Sequence, residues 1–240
     1  MAVLGAGRLG TALAGALRAA AVAVAGPYGR DSDPFGDDVA PDVVLLCVPD
    51  AEILRASAQF PDGQLLAHCS GAAGLDRLGS HEGFSLHPLT AVTRTGADFR
   101  GVGAAIDATT PAALELARGL ARALGMIPIR IDPADRAAYH AAASIASNFL
   151  VTLEAAAEQL ADSAGLRREL LAPLVRATVE NWLTLGPEQA LTGPVARGDH
   201  ATVAHQREAV AQRAPELLGL FDALVVSTDR LAARVHGVPA

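Results

Sequence analysis

Hydrophobic residues gather in short continuous runs through the first half of the chain and spread into long, spaced series through the second. The runs Ala2–Leu4, Ala21–Ala25, Val43–Val48, Gln64–His68, Gly83–Leu86, Val102–Asp107 and Met126–Ile131 predict strands. Several lack the alternation of a half-exposed strand, which is the pattern of strands covered on both faces. Between them, Arg8–Ala20, Ala51–Gln59 and Pro111–Leu124 carry helical spacing. The last has Pro in its first turn, after Thr109 and Thr110 as cap candidates. Strands alternating with helices predict an α/β fold built on a mostly parallel, doubly wound sheet.

The pattern changes after Asp132-Pro133, and no strand is legible from Ala134 to Val235. Ala134–Ala164 reads as one long helix closed by Gly165, and further helices fit Arg167–Leu185, Thr202–Arg213 and Pro215–Arg234. The expected division is an α/β domain over 1–132 and an all-helical domain over 133–240. Phe149 and Trp182 are expected to anchor the core of the helical domain.

Composition sharpens this picture. The chain has 240 residues, enough for a sizeable core. Of these, 52 are alanine and only 4% are aromatic, which favours close packing of helices over a bulky interior. All 19 basic residues are arginine, so chemistry that needs a lysine amine is excluded. A net charge of −7 with scattered arginines argues against a nucleic-acid groove. No window holds the roughly 18 uninterrupted apolar residues of a membrane span, and no basic leader precedes the glycine-rich turn at Gly5. Cys47 and Cys69 form no CxxC pair, and they are expected as buried small hydrophobes in a reducing, cytoplasmic compartment. The seven histidines show no zinc-type spacing, and no metal is expected.

Gly5-Ala6-Gly7-Arg8-Leu9-Gly10 reads G-x-G-x-x-G between an apolar strand and an amphipathic helix. Gly5 permits the tight turn, Gly7 the approach of a pyrophosphate, and Gly10 close packing of helix on strand. The helix start adds free N–H groups and partial positive charge. The competing reading is an ordinary glycine-rich turn. Val48 and Pro49, at the end of the third strand, join the dinucleotide contacts. At the second strand's end, Gly29-Arg30-Asp31-Ser32 sets the cofactor. Arg30 and Ser32 suit the 2′-phosphate of NADP, whereas Asp31 leaves NAD open.

With these residues placed, the chain resembles the 6-phosphogluconate-dehydrogenase-like and ketopantoate-reductase-like enzymes, which pair a Rossmann domain with an all-helical one. It is most similar to a bacterial family of Rossmann-like oxidoreductases whose C-terminal domain has no known function. The resemblance rests on GAGRLG, LLCVPD (45–50), HCSG (68–71), HPLT (87–90), YHAAASIASNFL (139–150) and LTGPVARGD (191–199). It implies an NAD(P)-dependent oxidoreductase. Ketopantoate reductases carry a catalytic lysine on the second domain, and here there is none.

Three segments hold the candidate chemistry. His68-Cys69-Ser70-Gly71 and His87-Pro88-Leu89-Thr90 end neighbouring strands, where ligands bind in open α/β sheets. Prephenate dehydrogenases resemble this arrangement, which implies that Ser70 and His87 hydrogen-bond the reacting oxygen; alternatively Ser70 caps a turn and His87 braces one. Tyr139-His140 leads a polar stripe with Ser144, Ser147 and Asn148, spaced for one helical face. By resemblance, His140 replaces the lysine and Asn148 orients; the alternative is helix packing. Arg197, in Thr192-Gly193-Pro194 through Arg197-Gly198-Asp199, is a candidate for a substrate carboxylate, or the segment is a loop and an N-cap. Ser144 and Thr90 complete the substrate contacts, and Thr90, Thr93 and Arg94 lie in a segment able to form a lid.

The expected activity is hydride transfer between NADP and a small carboxylate-bearing carbonyl or imine compound, for example a 2-oxo acid such as ketopantoate. The alternatives are a pyrroline-5-carboxylate-type imine reductase and a redox sensor that binds the dinucleotide without chemistry. The helical half is expected to form a homodimer, because Ala-rich helices of this length need a partner surface.

Overall fold

The structure, a computed structural model, describes residues 1–29, 32 and 41–235. It divides into two compact units, Met1–Ser147 and Asn148–Ala240.

The first unit is built on a sheet of seven strands among the described residues: β1 (Ala2–Leu4), β2 (Ala25–Tyr28), β3 (Val43–Leu46), β4 (Leu65–His68), β5 (Gly83–Pro88), β6 (Gly103–Ala108) and β7 (Ile127–Arg130). Their order is β2-β1-β3-β4-β5-β6-β7, and every neighbouring pair is parallel except β5 with β6. A parallel connection needs a crossover element. Helices supply one for β1–β2 (α1, Arg8–Ala19), β3–β4 (α2, Ile53–Ser57) and β6–β7 (α3, Pro111–Ala123). The segment from β5 to β6 forms no helix, and β6 returns antiparallel.

Both faces of the sheet are covered, which explains the unbroken apolar runs. In β3, Val43 and Leu45 join the core beneath α1 and α3, whereas Val44 and Leu46 join the core beneath α2. Alternation is present, but both sides are dry. α3 lies on the sheet through Ala113, Ala117 and Ala121, all buried and one turn apart. Thr110 accepts the Ala113 N–H and Pro111 opens the helix, as its sequence predicts.

One strand is displaced from its predicted place. Val22 and Val24 pack against the core, but the apolar run Ala21–Ala25 serves largely to close α1. Ala21 takes φ +60°, and the Val22 N–H reaches back to the Leu17 carbonyl, so the helix ends in a left-handed cap. Strand β2 starts only at Ala25.

The predicted long helix is also interrupted. A 3₁₀ turn, Pro133–Asp135, leads into α4 (Arg136–Ser144), a π-helical turn (Ile145–Phe149) and α5 (Leu150–Asp162). The first unit extends past 132 to include α4, because Arg136 and Tyr139 hydrogen-bond side chains of β5.

The second unit continues with α6 (Arg168–Leu185), a short α7 (Pro187–Ala190) that the sequence pattern missed, α8 (His200–Arg213) and α9 (Leu218–Val235). Arg168 forks onto Glu158 of α5, and Arg207 forks onto Asp222 across α8 and α9. Phe149 and Trp182 are not core anchors: they are 60% and 55% exposed. The buried apolar residues of this unit, among those described, are Val210, Ala214 and Ala232, an interior too small to take an indole. Leu170, Leu174 and Leu183 of α6 are exposed as well.

The alanine seam of α3 leaves no space for a larger side chain. Ala117→Leu is expected to destabilise the protein by about 1–3 kcal/mol through overpacking, seen as a lower midpoint in urea unfolding.

Candidate active site

Gly5 takes φ +113°, and a Cβ there would lie 2.3 Å from the Cys47 carbonyl oxygen. At Gly10 a Cβ would lie 1.9 Å from the Gly5 carbonyl oxygen. Both positions therefore demand glycine, which folds the loop tightly onto β3 and lets α1 start at once. Gly7 differs, because a Cβ there would meet nothing within 4 Å. Its surroundings are open, and no side chain caps α1. The first amides of α1 thus face free space, as an anion site requires. Beside them lies a cavity of about 240 Å³ lined by Gly5, Ala6, Gly7, Gly29, Val48 and Pro49, among others. Leu9 packs into the core and Arg8 is exposed. The shape fits a dinucleotide: glycines where backbone must approach, an uncapped helix start and a hollow at the turn of the sheet's strand order.

Further along the same sheet, β4 and β5 end at His68 and Pro88. His87 Nδ1 lies 2.7 Å from the Tyr139 hydroxyl of α4, with the two rings at 90°. The His140 ring centroid stands 6.3 Å from that of His87. Gly71 fits between them: a Cβ would sit 2.8 Å from His140 Cδ2 and 2.8 Å from His87 Cε1. No other residue type leaves both imidazoles in place.

Arg136, one turn before Tyr139 and His140, fastens α4 to the sheet. It is buried, donates to Ser85 Oγ at 3.0 Å and lies 3.8 Å from Asp107. Its Nε has no partner. Burial, the neighbouring His140 and the Arg136 cation together lower His87 to about 4, so its imidazole is neutral at pH 7. Burial raises the Tyr139 hydroxyl, which keeps its proton. Fully buried His68 is also lowered to about 4, first by burial and then by Arg136. His68 Nδ1 accepts the Ser70 N–H and Nε2 faces the Gly74 carbonyl, each at 3.2 Å, so Nε2 carries the proton.

With this geometry in view, known proteins supply a family. The model of a domain of unknown function, DUF2520, matches residues 102–228, more than half of the chain. The chain belongs to the DUF2520 family. No curated protein matches it. A Bacteroides fragilis protein provisionally named an NADP oxidoreductase, BF3122, is similar in structure, with a TM-score of 0.82 at 20% identity over 95% of this chain and 97% of that one. Protein TM1727 of Thermotoga maritima gives 0.76 at 22% identity, over 97% and 98%. An imine reductase of Myxococcus stipitatus, in complex with NADP+, gives 0.63 at 17% identity, over 98% and 95%. These likenesses establish a Rossmann-type fold.

In this DUF2520 protein the structure sorts the candidate residues. His87 and His140 come together, with Tyr139 as their hydrogen-bonding neighbour. Ser70 Oγ accepts the Ala72 and Ala73 N–H groups, so it caps the turn after β4. Thr90 is half-buried just beyond β5, its N–H on the Pro88 carbonyl. Thr93 and Gly96 close a tight turn, and Arg94 lines a wide hollow along α1 with Arg8. Ser144 is the last residue of α4. Asn148 falls within the π-helical turn, in the second unit. There i→i+5 bonding replaces the α-helical spacing that a single polar face of 140, 144 and 147/148 needs. Arg197 lines a cavity of about 260 Å³ inside the helical unit, with Glu188 and Thr192. Asp199 caps α8 by accepting from the Thr202 N–H. Arg30 lies outside the described residues, while Ser32 is exposed, its N–H directed to the Gly29 carbonyl.

Sequence reasoning missed Gly71, Arg136, Ser85 and Asp107. For Gly71 the signal was present in HCSG, as a glycine beside the candidate serine. Arg136 carried no signal, because its partners are 51 and 29 residues away in sequence.

A pH dependence follows from His68. Between its ordinary value near 6.5 and its folded value of about 4, the unfolded chain takes up a proton that the folded chain refuses. Stability is therefore full above pH 6.5 and falls as pH drops toward 4, by up to about 3 kcal/mol from this group. His87 acts in the same direction. Urea unfolding between pH 7.5 and 4 should show the slope, and His68→Asn, which does not titrate, should reduce it to the share of His87.

Proposed function

We propose that this DUF2520 protein is an NADP-dependent oxidoreductase that transfers hydride between the nicotinamide and a small carboxylate-bearing carbonyl or imine compound. One observation carries the reading: the carboxyl ends of parallel strands of one sheet bear both an uncapped glycine-rich helix start and a His87–Tyr139–His140 cluster closed over Gly71. The NADP+ complex of the similarly folded Myxococcus imine reductase supports the cofactor and the imine option. Preference for NADP over NAD rests on Arg30 and Ser32 in the sequence.

The bound dinucleotide would supply hydride at its nicotinamide ring, and the remaining tasks fall to the chain. The amides after Gly7 hold the pyrophosphate, and Val48 and Pro49 wall the cavity. Tyr139 fixes the ring of His87, which, being neutral, orients the reacting oxygen or nitrogen by a hydrogen bond. His140 is then the group that delivers or receives the proton. Thr90 and Ser144 are proposed as substrate contacts; Asn148 and Arg197, proposed from the sequence as an orienting group and a carboxylate partner, lie in the second unit. Ketopantoate-type 2-oxo acids and pyrroline-5-carboxylate-type imines are the two substrate classes to compare.

The test is a fluorescence titration of cofactor-stripped protein with NADPH and with NADH at equal salt, followed by turnover on 2-oxo acids and cyclic imines. Tighter binding of NADPH is expected. His140→Ala should lower turnover roughly 10²- to 10⁴-fold without changing NADPH affinity. Binding of neither dinucleotide overturns the reading, and binding without turnover on either class makes the protein a sensor.

The helical unit is proposed to form a homodimer, supported by the exposed apolar residues Leu170, Leu174, Trp182 and Leu183 of α6. Sedimentation at micromolar concentration should give a dimer. A monomer refutes the proposal.

A further inference from the structure

Cys47 and Cys69 stand one residue beyond the ends of β3 and β4, whose register sets Leu46 opposite His68. Neighbouring strands lie about 4.8 Å apart, inside the roughly 4.4–6.8 Å Cα separation that a disulfide spans. The two thiols are free and already in contact, Cys47 donating to the Cys69 sulfur at 3.8 Å. Cys69 is buried, whereas Cys47 is half-buried and lines the cavity beside Gly5, Ala6 and Gly7.

Cys47 is also the seat of the glycine-rich loop. Its carbonyl oxygen is the atom that excludes a Cβ from Gly5, and its own Cβ lies 3.1 Å from the Cβ position of Gly10. Any movement of Cys47 is therefore felt by the turn and by the first residues of α1.

We infer that Cys47 and Cys69 form a modification site, a dithiol that a hydroperoxide closes to an intramolecular disulfide and that thereby loosens the dinucleotide loop. The loosening rests on the proposed dinucleotide reading, whereas the disulfide does not. Cys47, the more open sulfur, attacks first as its thiolate. A sulfur–oxygen bond forms, the O–O bond breaks, and the departing oxygen leaves as water or alcohol once protonated, so that Cys47 becomes a sulfenic acid. The Cys69 sulfur then attacks the Cys47 sulfur. The S–S bond forms, the S–O bond breaks, and the hydroxyl leaves as water with the Cys69 proton. Two thiols and one hydroperoxide thus yield a disulfide, an alcohol (water, for hydrogen peroxide) and a water, with two electrons passing from sulfur to oxygen. The neighbouring Cys47 thiol and burial hold the Cys69 thiol well above its ordinary range, which leaves the first attack to Cys47. Closure draws the two sulfurs together from 3.8 Å, and Cys47 is the one of the pair that packs on Gly5 and Gly10.

The test treats the full-length reduced protein with hydrogen peroxide. The expected result is a mass loss of two hydrogens, disappearance of both thiols under denaturing titration, and recovery with dithiothreitol. NADPH affinity should fall about tenfold on oxidation and return on reduction. Cys69→Ala, which fills the buried site without a thiol, should show neither the mass loss nor the reversible change in affinity. Persistence of both thiols, or disulfides only between chains, overturns the dithiol site. A disulfide with unchanged NADPH affinity overturns the loosening. If the reduced protein binds no NADPH at all, the dinucleotide reading fails, while the thiol count and mass still decide the disulfide.

Discussion

One buried cation organises the end of the sheet that bears the histidine cluster. Arg136 is 5% exposed, its bond to Ser85 is good, its pairing with Asp107 is long, and its Nε is unpaired. Burying a guanidinium on such terms is costly, because desolvation is only partly offset. The socket exists because β6 returns antiparallel: the β5–β6 register sets Ser85 directly opposite Asp107, so a hydroxyl and a carboxylate stand side by side. With Arg136 seated there, Tyr139 and His140 follow one turn later on the same helical face and meet His87. The charge does a second task at a distance, since it helps to keep both His68 and His87 neutral.

The small residues make this closeness attainable. Gly5 and Gly10 let the loop, β3 and α1 touch backbone to backbone, and Gly71 lets two imidazoles close over the end of β4. The alanine seam of α3 does the same for helix and sheet. A composition that reads as poor in bulky core residues thus corresponds to short distances between elements. The second unit shows the other side of that composition. Helices joined through Val210, Ala214 and Ala232 enclose little volume, and Leu170, Leu174, Leu183 and Trp182 stay outside.

The glycine loop and the histidine cluster, at two places on the sheet's carboxyl edge, are built differently. At the loop, chemistry is carried by backbone: amides, carbonyls and the absence of Cβ atoms. At the His cluster, it is carried by side chains whose protonation depends on burial and on a neighbouring charge. A neutral His87 cannot act as an imidazolium acid at pH 7, which is why the proposed mechanism gives proton transfer to His140 and orientation to the His87–Tyr139 pair.

Local pattern was enough to reveal the alternating α/β half, the helical half, the glycine loop and the Thr110–Pro111 start of α3, because each depends on neighbouring residues in the chain. It misread Ala21–Ala25, where a left-handed helix cap outweighed strand propensity, and it ran a single helix through Ile145–Phe149, where a π turn intervenes. It named His87 and His140 separately. Their meeting over Gly71, the Ser85–Asp107 socket of Arg136, the turn-capping role of Ser70 and the contact of the two thiols were decided by tertiary structure alone. The reason is physical: propensity and periodicity act over a few residues, whereas these contacts join groups brought side by side only by strand order, by the direction of β6 and by the docking of α4 on the sheet.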